Sequence, residues 1–134
     1  MRIAFAADDS NECVAAVRAY LEQDHDVVAF DGPWPVMSRR VAEAVVAGDV
    51  RYGVLLCWTG TGTAIAANKV PGARAATVAD AWTARGARLW NDANVVALSL
   101  KRLAPDVAVE CVQAFLAEPA PDPDEAGNIA LLND

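Results

Sequence analysis

The stretch Tyr52-Gly53-Val54-Leu55-Leu56-Cys57-Trp58-Thr59-Gly60-Thr61-Gly62, running on into Thr63-Ala64-Ile65-Ala66-Ala67-Asn68, decides how the chain folds. Residues 52–57 are the densest apolar run in the sequence, and so short a run followed by a Gly/Thr turn reads as a buried strand. Gly60 and Gly62 punctuate the turn, and the alanine-rich residues through Ala67 restart the chain as a short helix. Strand, glycine turn and helix in that order make a βα unit, the repeat of a parallel sheet.

The same alternation extends in both directions. Arg2 to Ala7 reads as a first buried strand, and the polar quartet Asp8, Asp9, Ser10 and Asn11 as a loop able to cap a helix reaching about Glu22. Val14, Val17 and Leu21 give that helix one face to bury. A second strand spans Val27 to Phe30. Asp31 to Pro35 is a Gly/Pro loop, and Met37, Val41, Ala44 and Val45 mark a helix ended by Gly48. Beyond residue 67, strands are predicted at Arg74 to Val78 and Asn94 to Leu98, separated by a helix from Asp80 to about Leu89. A last helix starts near Pro105 and buries Ala108, Cys111, Val112, Phe115 and Leu116. The pattern predicts a Rossmann-like α/β fold, a three-layer α/β/α sandwich around a five-stranded parallel sheet, over residues 1–118. Residues 119–134 form an acidic tail, interrupted by prolines and expected to pack loosely unless a second subunit holds it.

Composition narrows the function. With 134 residues the chain fits one domain, and 54% hydrophobic content excludes wholesale disorder. Eighteen acidic against eleven basic side chains give a net charge of -7, the wrong sign for binding nucleic acid or an anionic membrane. The longest uncharged stretch, residues 52–68, is broken by three glycines and is no membrane span. The apolar run before Asp8 is too short for a signal peptide. Cysteines at 13, 57 and 111 are odd in number and lack C-x-x-C spacing, which argues against a disulfide framework or structural zinc and points to a reducing cytoplasm.

In open α/β sheets ligands bind at the carboxyl ends of the strands. That places Asp8 and Asp9, Cys57 to Gly62, and Ala79 with Asp80 around a candidate site. Cys57 precedes a loop whose glycines let backbone N–H groups approach a ligand, and the following helix start favours a partly ionised thiol able to act as base or nucleophile. Cys13 and Cys111 lie on apolar helix faces and read as small core residues. Gly60-Thr61-Gly62 lacks the third glycine of a dinucleotide fingerprint and the Lys-Ser/Thr of a Walker loop, which disfavours NAD and ATP. Thr63, six positions beyond Cys57, likewise excludes the C-x5-R geometry of a phosphatase. Asp8 and Asp9 are equally readable as hydroxyl ligands or as helix caps. His25, the single histidine, is flanked by Asp24 and Asp26 in a turn, so a Ser-His-Asp or Cys-His device is not expected. Trp34, Trp58, Trp82 and Trp90 are placed in or near the ligand-side loops, as a sugar-stacking wall or as packing residues.

Taken together, Thr59-Gly60-Thr61-Gly62, Ala64 through Gly72, Arg74-Ala75-Ala76 and Asn91-Asp92-Ala93-Asn94-Val95 resemble the type B ribose-5-phosphate isomerase family, which includes galactose-6-phosphate isomerase subunits. The resemblance covers about residues 1–118. It implies an aldose-ketose isomerase that needs no metal or cofactor and works as a homodimer or homotetramer with sites shared between subunits. It also implies that Cys57 moves a proton between C1 and C2 through a cis-enediol(ate), assisted by Thr59 and the amides of residues 58–62. On the same grounds Asp8 binds hydroxyls or assists ring opening, Trp34 lines the pocket, and Asn91 reaches the partner's site. Several positions depart from the family pattern. Asp9 and Trp90 stand where histidines are usual, Lys101 with Arg102 beside it replaces an arginine, and the usually basic C-terminal segment is Pro121-Asp122-Pro123-Asp124-Glu125. These changes remove cationic ligands and imply altered substrate choice, toward a short-chain, deoxy or free sugar. The alternative is a non-catalytic sugar-binding protein or the partner subunit of a mixed oligomer.

Overall fold

In the computed structural model, which describes residues 1–133, strands and helices alternate from the first residues onward. The elements are β1 (Arg2–Ala7), α1 (Glu12–Asp24), β2 (Asp26–Ala29), α2 (Trp34–Val46), β3 (Tyr52–Cys57) and α3 (Thr61–Ala67). They continue with β4 (Ala75–Thr77), α4 (Ala81–Asn91), β5 (Val95–Ser99), α5 (Pro105–Leu116), a 3₁₀ turn (Pro123–Glu125) and α6 (Ala126–Ala130). All strand pairs are parallel, in the order β2-β1-β3-β5-β4. The expected three-layer α/β/α sandwich is therefore what forms.

Alternation along each strand divides the core into two layers. Ile3, Phe5, Val54, Leu56, Val96 and Leu98 face one layer, with Val17 and Leu21 of α1, Ala84 and Ala87 of α4, and Val112 and Phe115 of α5. Ala4, Ala6, Leu55, Val95 and Ala97 face the other, beneath Met37 and Val41 of α2 and Ala64 and Ala67 of α3. The second layer is built from smaller strand residues, and α2 comes close: a Cβ on Gly53 would stand 2.5 Å from a methyl of Val41. The central strands β3 and β5 are buried along their whole length, as strands covered on both faces must be.

Boundaries differ from the sequence reading where local chemistry decides them. α2 begins at Trp34, before the expected Met37, because Pro35 in the first turn lacks only an N–H that the helix would leave unpaired. Trp34 is thus a helix residue rather than a loop residue. β5 runs to Ser99 and α4 to Asn91, so Trp90 and Asn91 close a helix instead of opening a loop. Asp92 follows at φ 50°, its carboxylate bonded to Arg74 at 3.0 Å and Arg88 at 2.9 Å. Arg88 is buried and also donates to the carbonyls of Ala93 and Glu118 at 2.7 and 3.1 Å, its guanidinium lying against Tyr52 and Phe115. The start of the acidic tail is tied down further, Pro119 O accepting from Arg51 at 3.1 Å and Asp122 N–H donating to Leu89 O at 2.8 Å. Leu131 and Leu132 remain exposed. Among the described residues no helix is long and apolar enough to cross a membrane.

The loop after β1 shows which of its polar residues caps the helix. Asn11, not Asp8 or Asp9, caps α1: its Oδ1 accepts from Val14 N–H at 3.0 Å and its Nδ2 donates to Leu100 O at 2.7 Å. That second bond ties the loop after β1 to the end of β5. Replacing Asn11 by Ala removes both bonds, and a loss of about 1–2 kcal/mol of stability is expected, read as a lower urea midpoint with unchanged m-value.

Candidate active site

The strand order makes one crevice special. From β1 the chain steps outward to β2 and then returns past β1 to β3, so the carboxyl ends of β1 and β3 lie side by side at a reversal of winding. Ala7 pairs with Leu56, which sets Asp8 next to Cys57. Around them Asp8, Trp34, Cys57, Trp58, Thr59, Thr61 and Gly62 line an open cleft of about 250 Å³. A larger hollow of about 510 Å³ lies between residues 68–74 and Leu132, but neither a thiol nor a carboxylate lines it.

Cys57 is 5% exposed and lines the cleft with little of the residue open to solvent. Gly60 N–H donates to Sγ at 3.2 Å, and the Thr63 hydroxyl lies 3.3 Å away. Burial works to raise the thiol pKa, but hydrogen bonds from the Thr63 side chain and from the backbone at 63, 60 and 59 outweigh it and leave it below that of a free thiol. The other two cysteines go the opposite way. Burial raises Cys13, and burial with Asp80, Glu110 and Cys13 nearby pushes Cys111 up to about 11.

The loop that supplies these donors is fixed from three sides. Gly60 adopts φ 77°, and a Cβ there would meet the backbone of Leu98 and Ser99 at 3.0 Å, so only glycine fits. Thr77 donates to Gly60 O at 2.6 Å, and Ser99 donates to Trp58 O at 2.5 Å. Thr59 and Thr61 pair through their hydroxyls at 2.7 Å, and Thr61 N–H bonds Thr59 Oγ1 at 3.3 Å. The amides of Gly60 and Thr61 are thereby engaged within the loop itself. The exposed residues of the loop are Trp58, Thr59 and Thr61, with Gly62 half-buried.

Two tryptophans narrow the cleft. Trp34 lies against Gly62, where a Cβ would come within 3.2 Å of the indole. Trp58, 56% exposed, donates its indole N–H to Asp9 Oδ2 at 3.0 Å, while Lys101 Nζ sits 4.3 Å from its ring centroid. The adjacent carboxylates are split as a result. Asp9 is lowered by the Ser10 N–H and the Trp58 indole; Asp8 is raised by partial burial and by the charge of Asp9. Among the described residues no group of three or more His, Cys, Asp or Glu is placed to hold a metal ion.

Asp8, Asp9, Trp34, Cys57, Trp58, Thr59, Gly60, Thr61, Gly62 and Lys101 thus gather at one end of the sheet. Trp82 and Trp90 do not join them. They pair edge to face at 5.5 Å on α4, Trp90 lying over Gly86, where a Cβ would stand 2.6 Å from its ring. Trp90 and Asn91 end the helix at the amino side of the sheet, and Asn91 faces a separate hollow with Asn68 and Arg74. Trp82 stands in the first turn of α4 beside the Ala79–Asp80 loop, whereas Trp90 lies at the other end of that helix, which continues past the expected Leu89. His25 caps the end of α1, its Nδ1 3.2 Å from the N-terminal amine and away from the thiol. Thr63, Thr77 and Ser99 were not singled out from the sequence as site residues. Each is a small hydroxyl that only the closed loop brings into place.

A sequence model described as ribose/galactose isomerase matches residues 3–130. A putative sugar phosphate isomerase of Bacillus subtilis is 36% identical over 97 residues, 72% of this chain, and the matched region spans 65% of that protein's length. D-erythrulose-4-phosphate isomerase of Pectobacterium atrosepticum is 34% identical over 125 residues, 87% of this chain and 82% of the relative. The crystal structure of a ribose 5-phosphate isomerase from Thermotoga maritima superimposes with a TM-score of 0.91 at 28% identity, over 98% of this chain and 97% of the other. The chain belongs to the ribose/galactose isomerase family.

Proposed function

We propose that this protein interconverts an aldose and a ketose of a short-chain sugar or its phosphate, with Cys57 as the proton-transfer base. The observation that carries the reading is the thiol itself: lining a cleft, ringed by donors, and lower in pKa than the two core cysteines. In the proposed reaction the thiolate takes the C2 proton of the aldose, the electron pair forms a C1–C2 double bond, and the carbonyl becomes the oxyanion of a cis-enediolate. The thiol then returns the proton to C1 while the proton of the C2 hydroxyl passes to the oxyanion on C1, leaving the ketose. Gly62 and the hydroxyls of Thr59 and Thr61 face the position of the oxyanion. Asp8, whose raised pKa suits proton exchange, binds the sugar hydroxyls and assists ring opening.

The small cleft between Trp34 and Trp58 favours a short carbon chain, and the four-carbon substrate in the name of the Pectobacterium relative agrees with that. Lys101 is the cation this chain offers to an anionic end of the substrate. Trp90 and Asn91, at the far end of α4, serve a neighbouring subunit in a homodimer or homotetramer and contact its substrate. No cofactor, nucleic acid or membrane enters the scheme, and the cytoplasm is its setting.

Two outcomes test the reading. Iodoacetamide near neutral pH is expected to label Cys57 well before Cys13 or Cys111, because burial holds the latter two as thiols; mass spectrometry of the labelled peptides reads it. Solvent deuterium exchange at C1 or C2, followed by NMR across four- to six-carbon sugars and their phosphates, is expected for the true substrate and to fall by roughly 10²–10⁴ in Cys57→Ala. Its rate should drop as pH falls through the Cys57 pKa, at a lower pH than for a free thiol. Saturable sugar binding without exchange assigns instead a non-catalytic binding subunit.

A further inference from the structure

Thr63 occupies the first turn of α3, is fully buried, and places Oγ1 3.3 Å from Cys57 Sγ. Among the described residues that sulfur is the one hydrogen-bond partner of the hydroxyl. A buried hydroxyl is disfavoured without a partner, so the two groups fix one another. The geometry comes from the turn between them. Gly60 at φ 77° folds the chain back so that α3 starts directly over the end of β3. The backbone donors that reach the sulfur, Gly60 N–H at 3.2 Å among them, are there whatever side chain stands at 63. The hydroxyl is there only because the residue is threonine.

We propose that Thr63 is a positioning residue for Cys57: its hydroxyl donates to Sγ, holds the sulfur edge toward the cleft, and stabilises the thiolate between taking and returning a proton. The direction of the thiol's titration agrees, since the Thr63 side chain is the largest of the contributions that lower it. Thr63 never touches the sugar in this scheme. Its effect on turnover rests on the reading of Cys57 as the base, whereas its effect on the thiol does not.

Thr63→Val isolates the hydroxyl, because it exchanges that group for a methyl of similar size and keeps the backbone N–H. Thr63→Ala is a second hydroxyl-free variant that makes no demand on space, and Thr63→Ser restores the donor. The experiment follows iodoacetamide alkylation of Cys57 against pH in all four proteins, with Cys57→Ala as blank. Near pH 7 both hydroxyl-free variants should react about tenfold more slowly, the factor expected for one hydrogen bond to a charged group. Their midpoints should move to higher pH, the rates converging with the parent's in alkali, while Thr63→Ser tracks the parent. The pH profile of sugar exchange should shift in the same direction, with kcat affected more than KM. Superimposable alkylation profiles for Thr63→Val and the parent, a uniform drop at every pH, or failure of Thr63→Ser to recover would overturn the proposal. If Cys57→Ala keeps sugar exchange, the reading of Cys57 as the base falls, and the alkylation profiles still decide the role of Thr63.

Discussion

One buried acceptor organises the active end of this molecule. Cys57 Sγ stands where β3 leaves the sheet, and donors from residues 60 and 63 close on it from one side. A sulfur is a weak acceptor when neutral and a strong one when ionised, so a shell of donors rewards the thiolate more than the thiol. Burial alone would do the opposite, as it does at Cys13 and Cys111. The same residue type therefore has two chemistries in one protein, and the difference is the loop.

That loop is held by hydroxyls rather than by packing. Thr77 from β4 and Ser99 from β5 each bond a loop carbonyl, and Thr59 bonds Thr61 within it. Short bonds to neighbouring strands make the loop an extension of the sheet. On the proposed reading its donors are then in place before any substrate arrives, which is the condition under which they stabilise developing charge without reorganising. The non-glycine alternatives at position 60 are closed off by the β5 backbone, so the arrangement depends on two adjacent strands being parallel and in register.

Most of the fold was legible because a parallel sheet writes itself as apolar runs separated by turns. β1 and β3 match the expected residues end to end, since polar or glycine-rich segments bound them sharply. The ends of α2 and α4 were not legible. Pro35 looked like loop but occupies the one helical turn that tolerates it, and no breaker stands between Leu89 and Asn91. Of the candidate site, the residues adjacent in sequence to strand ends were legible: Asp8, Cys57 and the loop through Gly62. Thr63, Thr77 and Ser99 were not. Their roles depend on where a hydroxyl points once three strands and a helix have met, and spacing along the chain carries no record of that. Trp90 was placed near the ligand-side loops because the helix was read as ending at Leu89, and its two further residues carry Trp90 to the far end of α4.

The two adjacent aspartates show how neighbouring groups of one type acquire different tasks. Asp9 accepts hydrogen bonds from Ser10 and Trp58 and feels Lys101, so it stays anionic and orients the Trp58 wall. Asp8 is partly buried beside that fixed charge, and both effects raise its pKa above that of a free carboxylate. A neighbouring charge works against ionisation of Asp8, and the asymmetry of hydrogen-bond partners sends the two carboxylates in opposite directions. On the proposed reading this leaves Asp8 as the group that exchanges a proton with sugar oxygens while Asp9 fixes the cleft's width. Asp9, Trp58 and Lys101 form one connected set at this edge of the cleft. Because Trp58 is held at its edge by Asp9 and on its face by Lys101, this wall of the cleft is set by an electrostatic contact, and on the proposed reading that contact, outside the reacting atoms, limits the size of the substrate.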